Sequence, residues 1–184
     1  MSWWKKIKQL ISGTPDLDLS DLKTTGDRGY SAINVQKINK ALDSIPPIRR
    51  AVILANIIEE SGADPHVKGD IDGNSTGLLQ WRPERLDPES PHLKDLKSQL
   101  KYITTTLASP KNIDDAWTHG GAGSGFKSWK DAQHQFYNPE SSLEEVNKAF
   151  VRGYVRPKGK NKTADNRLKV ARQLLSKMTD NGNN

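Results

Sequence analysis

The residues most suited to chemistry are two adjacent carboxylates, Glu59 and Glu60, which directly follow the run Ala51 to Ile58. That run is apolar apart from Asn56. Successive residues of a helix diverge by about 100°, so only one of the two acids is expected to face a given cleft. Apolar neighbours disfavour the ionised form of such a carboxyl, and the partial negative charge of a helix C-terminus pushes the same way. An acid that keeps its proton near neutral pH is what general-acid cleavage of a glycosidic bond requires. An arbitrary pair of acids at a helix end is more often simply solvated, so the pair alone does not decide the chemistry.

Other chemistries find less support. The chain has no cysteine, which removes disulfides, thiol catalysis and cysteine-ligated zinc together. His66, His92, His119 and His134 show no metallopeptidase spacing. Asp70-x-Asp72-x-Asn74 begins like a calcium loop, but Ser75 stands where such a loop needs glycine and Trp81 where it needs a bidentate acid. Gly121-x-Gly123-x-Gly125 lacks the preceding strand and the Lys-Ser/Thr of a phosphate loop, and reads as a mobile loop. No metal or cofactor is expected.

The elements that must position Glu60 are mostly helical. A stripe of Ile33, Ile38, Leu42 and Ile45 predicts a helix from Ser31, broken at Pro46-Pro47. Prolines suit a first turn, so a second helix is expected from there to Gly62. Its all-round apolar middle makes it the central, buried helix. The segment DPHVKGDIDGNSTGLLQW, rich in turn formers, predicts a small β-hairpin. Leu93, Leu96, Leu100, Ile103 and Leu107 then show helical spacing. Three further amphipathic stretches follow, marked by Trp129, Ala132 and Phe136, by Leu143, Val146 and Phe150, and by Leu168, Ala171, Leu175 and Met178. Trp117, Trp129 and Phe136 are expected in the core. The fold class is mainly α with one β excursion. A boundary is expected near residue 30: residues 1–29 are a basic amphipathic segment and an extended connection, 30–179 the main domain, and 180–184 a frayed tail.

The residues around Glu60 resemble the lysozyme-like superfamily, most closely the phage tail lysozyme family. The likeness runs through Ala55-Asn56, Glu60-Ser61-Gly62, Pro65 and Gly77-Leu78-Leu79-Gln80-Trp81. The same order is similar to the pattern of goose-type lysozymes and soluble lytic transglycosylases. A second anchor is Phe150 with Tyr154-Val155-Arg156-Pro157, followed by Arg167 and Ala171 on a closing helix. The resemblance implies an α+β lysozyme-like fold and cleavage of the β-1,4 bond between N-acetylmuramic acid and N-acetylglucosamine in peptidoglycan. It places Glu60 rather than Glu59 as the catalytic acid. It places Gln80 and Trp81 in the cleft floor, as amide and sugar-stacking partners, and Tyr154 and Arg156 on the far wall. Val155 departs from the acidic residue usual before that Arg-Pro. Asp70 and Asp72 fall where a lysozyme places a second carboxylate, and Ser75 and Thr76 where a water could be held. A carboxylate separation of roughly 5 Å would mark a retaining nucleophile and roughly 6.5–9.5 Å an inverting base.

The 184-residue chain has a net charge of +6 and a hydrophobic content of 34%. One domain with a short appendage fits this length. No stretch approaches the roughly 20 apolar residues of a membrane span. The basic balance favours anionic partners, here the peptidoglycan envelope. Trp3, Ile7, Leu10 and Ile11 against Lys5, Lys6 and Lys8 suggest packing onto the domain or a weak contact of residues 1–11 with an anionic membrane surface. The start of the chain does not read as a secretory signal, so cytoplasmic accumulation or packing into a virion is expected, with action at the bacterial wall. Two rival readings are an inert glycan-binding or virion structural module, and a nucleic-acid-binding domain built on Arg156, Lys158, Lys160 and Lys162. The latter lacks interleaved aromatics, and no nucleic acid is expected.

Overall fold

The computed structural model describes residues 16–25, 29–69, 75–83, 86–108, 126–155 and 160–180. Among these there are six α-helices: α1 (Ala32–Ala41), α2 (Pro47–Ser61), α3 (Leu96–Leu107), α4 (Trp129–Tyr137), α5 (Leu143–Ala149) and α6 (Lys160–Asp180). Strands β1 (Lys68–Gly69) and β2 (Ser75–Thr76) form one antiparallel pair, with Lys68 opposite Thr76 and Gly69 opposite Ser75. The fold is therefore mainly α with a small hairpin, as expected. Among the described residues no helix is long and apolar enough to cross a membrane.

Helix α2 is the axis of the molecule. It packs most extensively along α6, then against α5 and α1. Every residue from Arg50 to Ile58 is buried, which is why its sequence is apolar all round. The chain enters α2 through Pro46-Pro47 and leaves through Gly62, whose φ of 62° lies in the left-handed region. The Gly62 N–H closes on Ile58 O at 2.9 Å, and its carbonyl accepts from Ser31 N at 2.9 Å. That last contact pins the end of α2 to the start of α1.

The other helices begin where their sequences offer caps. Ser31 caps α1, Asp95 caps α3 and Ser128 caps α4. The Ser98 N–H holds the Asp95 carboxyl below the usual carboxylate range. Ser142 and Glu145 form a reciprocal capping box on α5. Beyond α5 the chain widens into a π-helical turn, Phe150–Val155. That turn stacks Phe150 between Phe136, centroids 5.2 Å apart, and Tyr154, 4.9 Å apart.

Three expectations change. Ile33 is 69% exposed: it lies five residues before Ile38, about 140° around the helix, and the buried α1 positions are Val35, Ile38 and Asn39. Leu93 belongs to a separate 3₁₀ turn, Pro91–Leu93, and α3 itself starts at Leu96. Residues 16–25 are irregular, as an extended connection should be, yet Leu17, Leu19 and Leu22 are buried in the common core. Side-chain amides hold this segment in place of a strand partner. Gln36 exchanges two hydrogen bonds with the Leu17 backbone (3.0 and 2.6 Å), and Gln173 two with the Lys23 backbone (3.0 and 3.1 Å). Lys177 pairs with Asp21, and Lys40 with Asp16 at 2.6 Å. The basic segment 1–11, Trp117, the glycine-rich stretch 121–125 and the tail 181–184 lie outside the described residues.

Gly62 gives a direct test of how α2 is terminated. A Cβ there would sit 2.4 Å from the Gly29 carbonyl oxygen, in a backbone region that L-residues avoid. Gly62→Ala is expected to lower unfolding stability by about 2–4 kcal/mol in urea titration. Gly29→Ala, where a Cβ meets nothing within 4 Å, should change it by no more than about 0.5 kcal/mol.

Candidate active site

Glu60 lies in the last turn of α2, its side chain 16% exposed. The Arg167 guanidinium, from α6 and 4% exposed, donates from Nη2 to Glu60 Oε1. Its Nη1 donates to Asn56 Oδ1 at 2.6 Å. Asn56, wholly buried, spends its own amide N–H on Val52 O, one turn back, at 2.8 Å. The polar residue inside the apolar run is thus the holder of the arginine that holds the acid. A buried carboxylate without a cation would cost several kcal/mol, and the fork of Arg167 meets both partners with one rigid group.

Glu59 points elsewhere. It accepts from Thr25 N at 2.9 Å and from Thr25 Oγ1 at 2.6 Å, anchoring the 16–25 segment to α2. Ser61, the third residue of the cluster, is buried, and its one hydroxyl proton lies between Ile57 O, 2.9 Å from Oγ, and Leu78 O, 3.0 Å from Oγ. The second contact brings the Gly77-Leu78-Leu79-Gln80-Trp81 loop against the end of the helix that carries Glu60.

The same loop is held from its other side by Gln99, a wholly buried residue of α3. Gln99 accepts from Leu78 N at 2.8 Å and donates to Pro65 O at 2.7 Å and Leu93 O at 3.1 Å. One amide therefore ties both flanks of the hairpin. Within the loop, Thr76 and Trp81 exchange backbone hydrogen bonds at 3.0 Å each, and Gly77, at φ 79°, lets the chain reverse.

Gln80 also sits at positive φ, 49°, a strained setting for a non-glycine residue. Its amide Nε2 donates to Val67 O at 3.1 Å and Gly77 O at 2.9 Å, and Oε1 accepts from Ser75 Oγ at 3.1 Å. Both of its donors are thus spent on the loop. Gly69 makes room for this amide, since a Cβ there would fall 1.6 Å from Gln80 Oε1. Ser75 is buried beneath it, 6% exposed, and Thr76 is half-buried.

The aromatic residues stand deeper than the resemblance implies. Trp81 is 1% exposed, with its ring edge-to-face on Tyr102 at 5.8 Å, and no hydrogen-bond partner meets its indole N–H among the described residues. Tyr154 is also 1% exposed, stacked on Phe150. In this structure both rings are packed in the core. The cause is local: Gly77 brings the loop backbone down over the indole, so that a Cβ there would lie 3.2 Å from it. Asp70, Asp72 and Arg156 lie outside the described residues, as does the basic run 156–159. Among the described residues no group of three or more His, Asp or Glu is arranged to hold a metal ion.

Ser75 and Gln80, and Thr76 and Trp81, are joined to each other within the hairpin loop, and Ser61 ties that loop to the helix end that carries Glu60. The sequence had singled out Asn56 and Arg167 only as parts of a pattern, and not Gln99. The trace of the first two was a lone amide in an apolar run and an arginine within an amphipathic stretch.

The model of the phage tail lysozyme family matches residues 46–178, a span that begins at α2 and includes Glu60, the Gly77–Trp81 loop and Arg167. The chain belongs to that family, and its fold is lysozyme-like. No curated protein and no solved structure matches the chain.

The clamp on Glu60 is measurable by a double-mutant cycle. Arg167→Met strands the half-enclosed carboxylate and is expected to cost about 3 kcal/mol of stability. Combining it with Glu60→Gln should recover a part of that loss, giving a coupling of about 1 kcal/mol or more in urea midpoints. Additive losses would show that the two side chains do not depend on each other.

Proposed function

We propose that this protein is a peptidoglycan glycosidase that cuts the β-1,4 bond between N-acetylmuramic acid and N-acetylglucosamine, with Glu60 as general acid. The observation that carries the reading is the position of Glu60: a partly enclosed carboxyl in the last turn of a buried helix, next to Ser61, which ties the Gly77–Trp81 loop to that helix end. Membership of the phage tail lysozyme family supports it.

In this reading the Glu60 carboxyl gives its proton to the glycosidic oxygen as the bond to the anomeric carbon breaks. The leaving sugar departs with a free hydroxyl, and the oxocarbenium-like centre is taken by water, or by the C6 hydroxyl of the same sugar. The first course makes the enzyme a muramidase, the second a lytic transglycosylase. Asp70 or Asp72, in the chain between β1 and β2, is proposed as the second carboxylate that stabilises the developing charge or activates water. Ser75 and Thr76 lie on β2 beside it in sequence and are proposed to place that water. The spare acceptor capacity of Gln80 Oε1 suits an acetamido N–H. Trp81 and Tyr154 act as positioning residues beneath the cleft, and Arg156 follows on the far wall. The net charge of +6 concentrates the protein at the anionic bacterial wall, which it reaches from the cytoplasm of the producing cell or as part of a virion.

The deciding experiment is digestion of purified peptide-bearing peptidoglycan by wild type and Glu60→Gln, read by mass spectrometry. Reducing-end muropeptides from wild type, reduced at least about 100-fold in the variant, are expected of a muramidase. Anhydro products, lighter by one water, would instead mark the transglycosylase. Release of no fragments by wild type, with both proteins pelleting with the sacculus, would sink the enzyme reading in favour of an inert glycan-binding module. Wild-type activity should also fall as ionic strength rises past about 0.15 M, where the screening length is about 8 Å. Activity independent of salt would remove charge from the account of wall binding.

A further inference from the structure

Among the described residues, two neighbouring cavities lie toward the end of α2 opposite Glu60. Pro47 and Glu60 are separated by about 20 Å along the helix at about 1.5 Å per residue. At this far end a cavity of about 440 Å³ opens beside Pro46 and Ile48 and is walled by Tyr137, Val146 and Leu175. Its size falls in the range of small-ligand sites. A second hollow, of about 530 Å³, shares Tyr137, Asn138 and Pro139 with the first and continues to Trp129 and Lys130. Together they make an elongated, largely apolar groove.

Arg49 is the one charged side chain among the residues lining the first cavity. Its guanidinium lies 5.1 Å from the centre of the Tyr137 ring. It makes neither hydrogen bond nor ion pair with the described residues, whereas its neighbour Arg50 pairs with Asp43 at 2.7 Å. Burial pushes the Arg49 guanidinium below its ordinary range. A half-buried cation with five donors and no anion is an incomplete arrangement. The group that completes it geometrically is a carboxylate, which a guanidinium fork can bind through two parallel hydrogen bonds. The apolar walls ask that this carboxylate be carried on small aliphatic groups. At the other end of the groove Lys130 lies 5.6 Å from the Trp129 ring centre, and the combined volume of the two hollows suits a short peptide rather than a lone ion.

We propose that this groove binds a short peptide of small aliphatic residues through its terminal carboxylate on Arg49, and that its source is the peptide stem of peptidoglycan. The identity of the source rests on the glycosidase reading above; the carboxylate site does not. A five-residue stem extends about 17 Å. A stem hanging from a sugar near Glu60 therefore reaches most of the way along α2, and a stem on a neighbouring strand reaches the groove directly. Stem binding here would select peptide-bearing glycan over bare glycan without touching the reacting atoms.

The test is a titration of the full chain, followed by NMR and calorimetry, with diacetyl-Lys-D-Ala-D-Ala, with the same peptide amidated at its C-terminus, and with acetate. Wild type and Glu60→Gln should bind the free-acid peptide equally and saturably. Arg49→Gln, and the amidated peptide on wild type, should each weaken binding about tenfold or more, while Arg49→Lys keeps part of it. Thermal melts of the Arg49 variants check that they fold, and their half-exposed position makes that the expected result. No saturable binding to wild type, equal binding of acid and amide, or acetate binding as tightly as the peptide would each overturn the proposal. The two readings fail separately. Digestion that depends on Glu60 without peptide binding would leave the glycosidase and remove the groove. Peptide binding without any digestion would keep the carboxylate site and remove the enzyme.

Discussion

The structure turns on one arginine. Arg167 brings a full positive charge to within hydrogen-bonding distance of Asn56 and Glu60, at a place where α2 is otherwise dry. A carboxyl in that setting is tolerable only with a cation, and the two terminal nitrogens of Arg167 meet Glu60 and Asn56, while its buried Nε finds no partner among the described residues. That contact joins α2 to α6, the helix it packs against most extensively. It also explains an amide inside an apolar run, where packing alone would prefer leucine. The acid, the arginine and the amide come from two elements more than a hundred residues apart in the chain, so the site exists only when the fold is complete.

The hairpin is placed by a different physics. It is too short to hold itself, since two residues per strand bury little and an isolated hairpin is marginal in water. Its position is fixed by polar knots: Ser61 on the Leu78 carbonyl, Gln99 on Leu78, Pro65 and Leu93, and Gln80 on Val67 and Gly77. Each knot is directional, and breaking the Gln99 contact would leave the buried Leu78 N–H without its acceptor, which costs more than the bond itself contributes. The loop beside the end of α2 is thus fixed by directional contacts rather than by bulk. Two close approaches, at Gly69 and Gly77, are what let these side-chain amides reach the backbone.

What the sequence made legible follows from the range of each interaction. The span of α2, its proline entry and its glycine exit were readable because apolar character, proline and glycine act locally, and observed bounds of Pro47–Ser61 agree with that reading. The choice of Glu60 over Glu59 came from resemblance; in the structure the two acids turn to different partners, Glu59 to Thr25 and Glu60 to Arg167. Ile33 misled because a stripe was drawn through residues five apart, which do not share a face. The burial of Leu17, Leu19 and Leu22 was hidden because an irregular segment has no period to reveal its core side, and its partners Gln36, Glu59 and Gln173 are distant in the chain. Gln99 was hidden for the same reason: a glutamine in an amphipathic helix carries no sign of where its amide points. The deep seats of Trp81 and Tyr154 escaped because a motif gives the order of residues but not their depth.

Those depths change what the recognition surface can be made of. If Trp81 and Tyr154 are packed from behind, sugar rings are not read by large aromatic faces at these two positions, and Gln80 has no amide proton to offer. Among the described residues of the Gly77–Trp81 loop, Gln80 Oε1 remains as an acceptor. A polymer that carries peptide on every second sugar offers a second handle, and α2 is long enough to present one chemistry at each end. The end with Glu60 holds an acid with its charge met from within; the end with Arg49 holds a cation whose charge is not. A rigid buried helix transmits no signal between them, but it fixes their separation, and a substrate with a repeat can be selected by fixed separation alone.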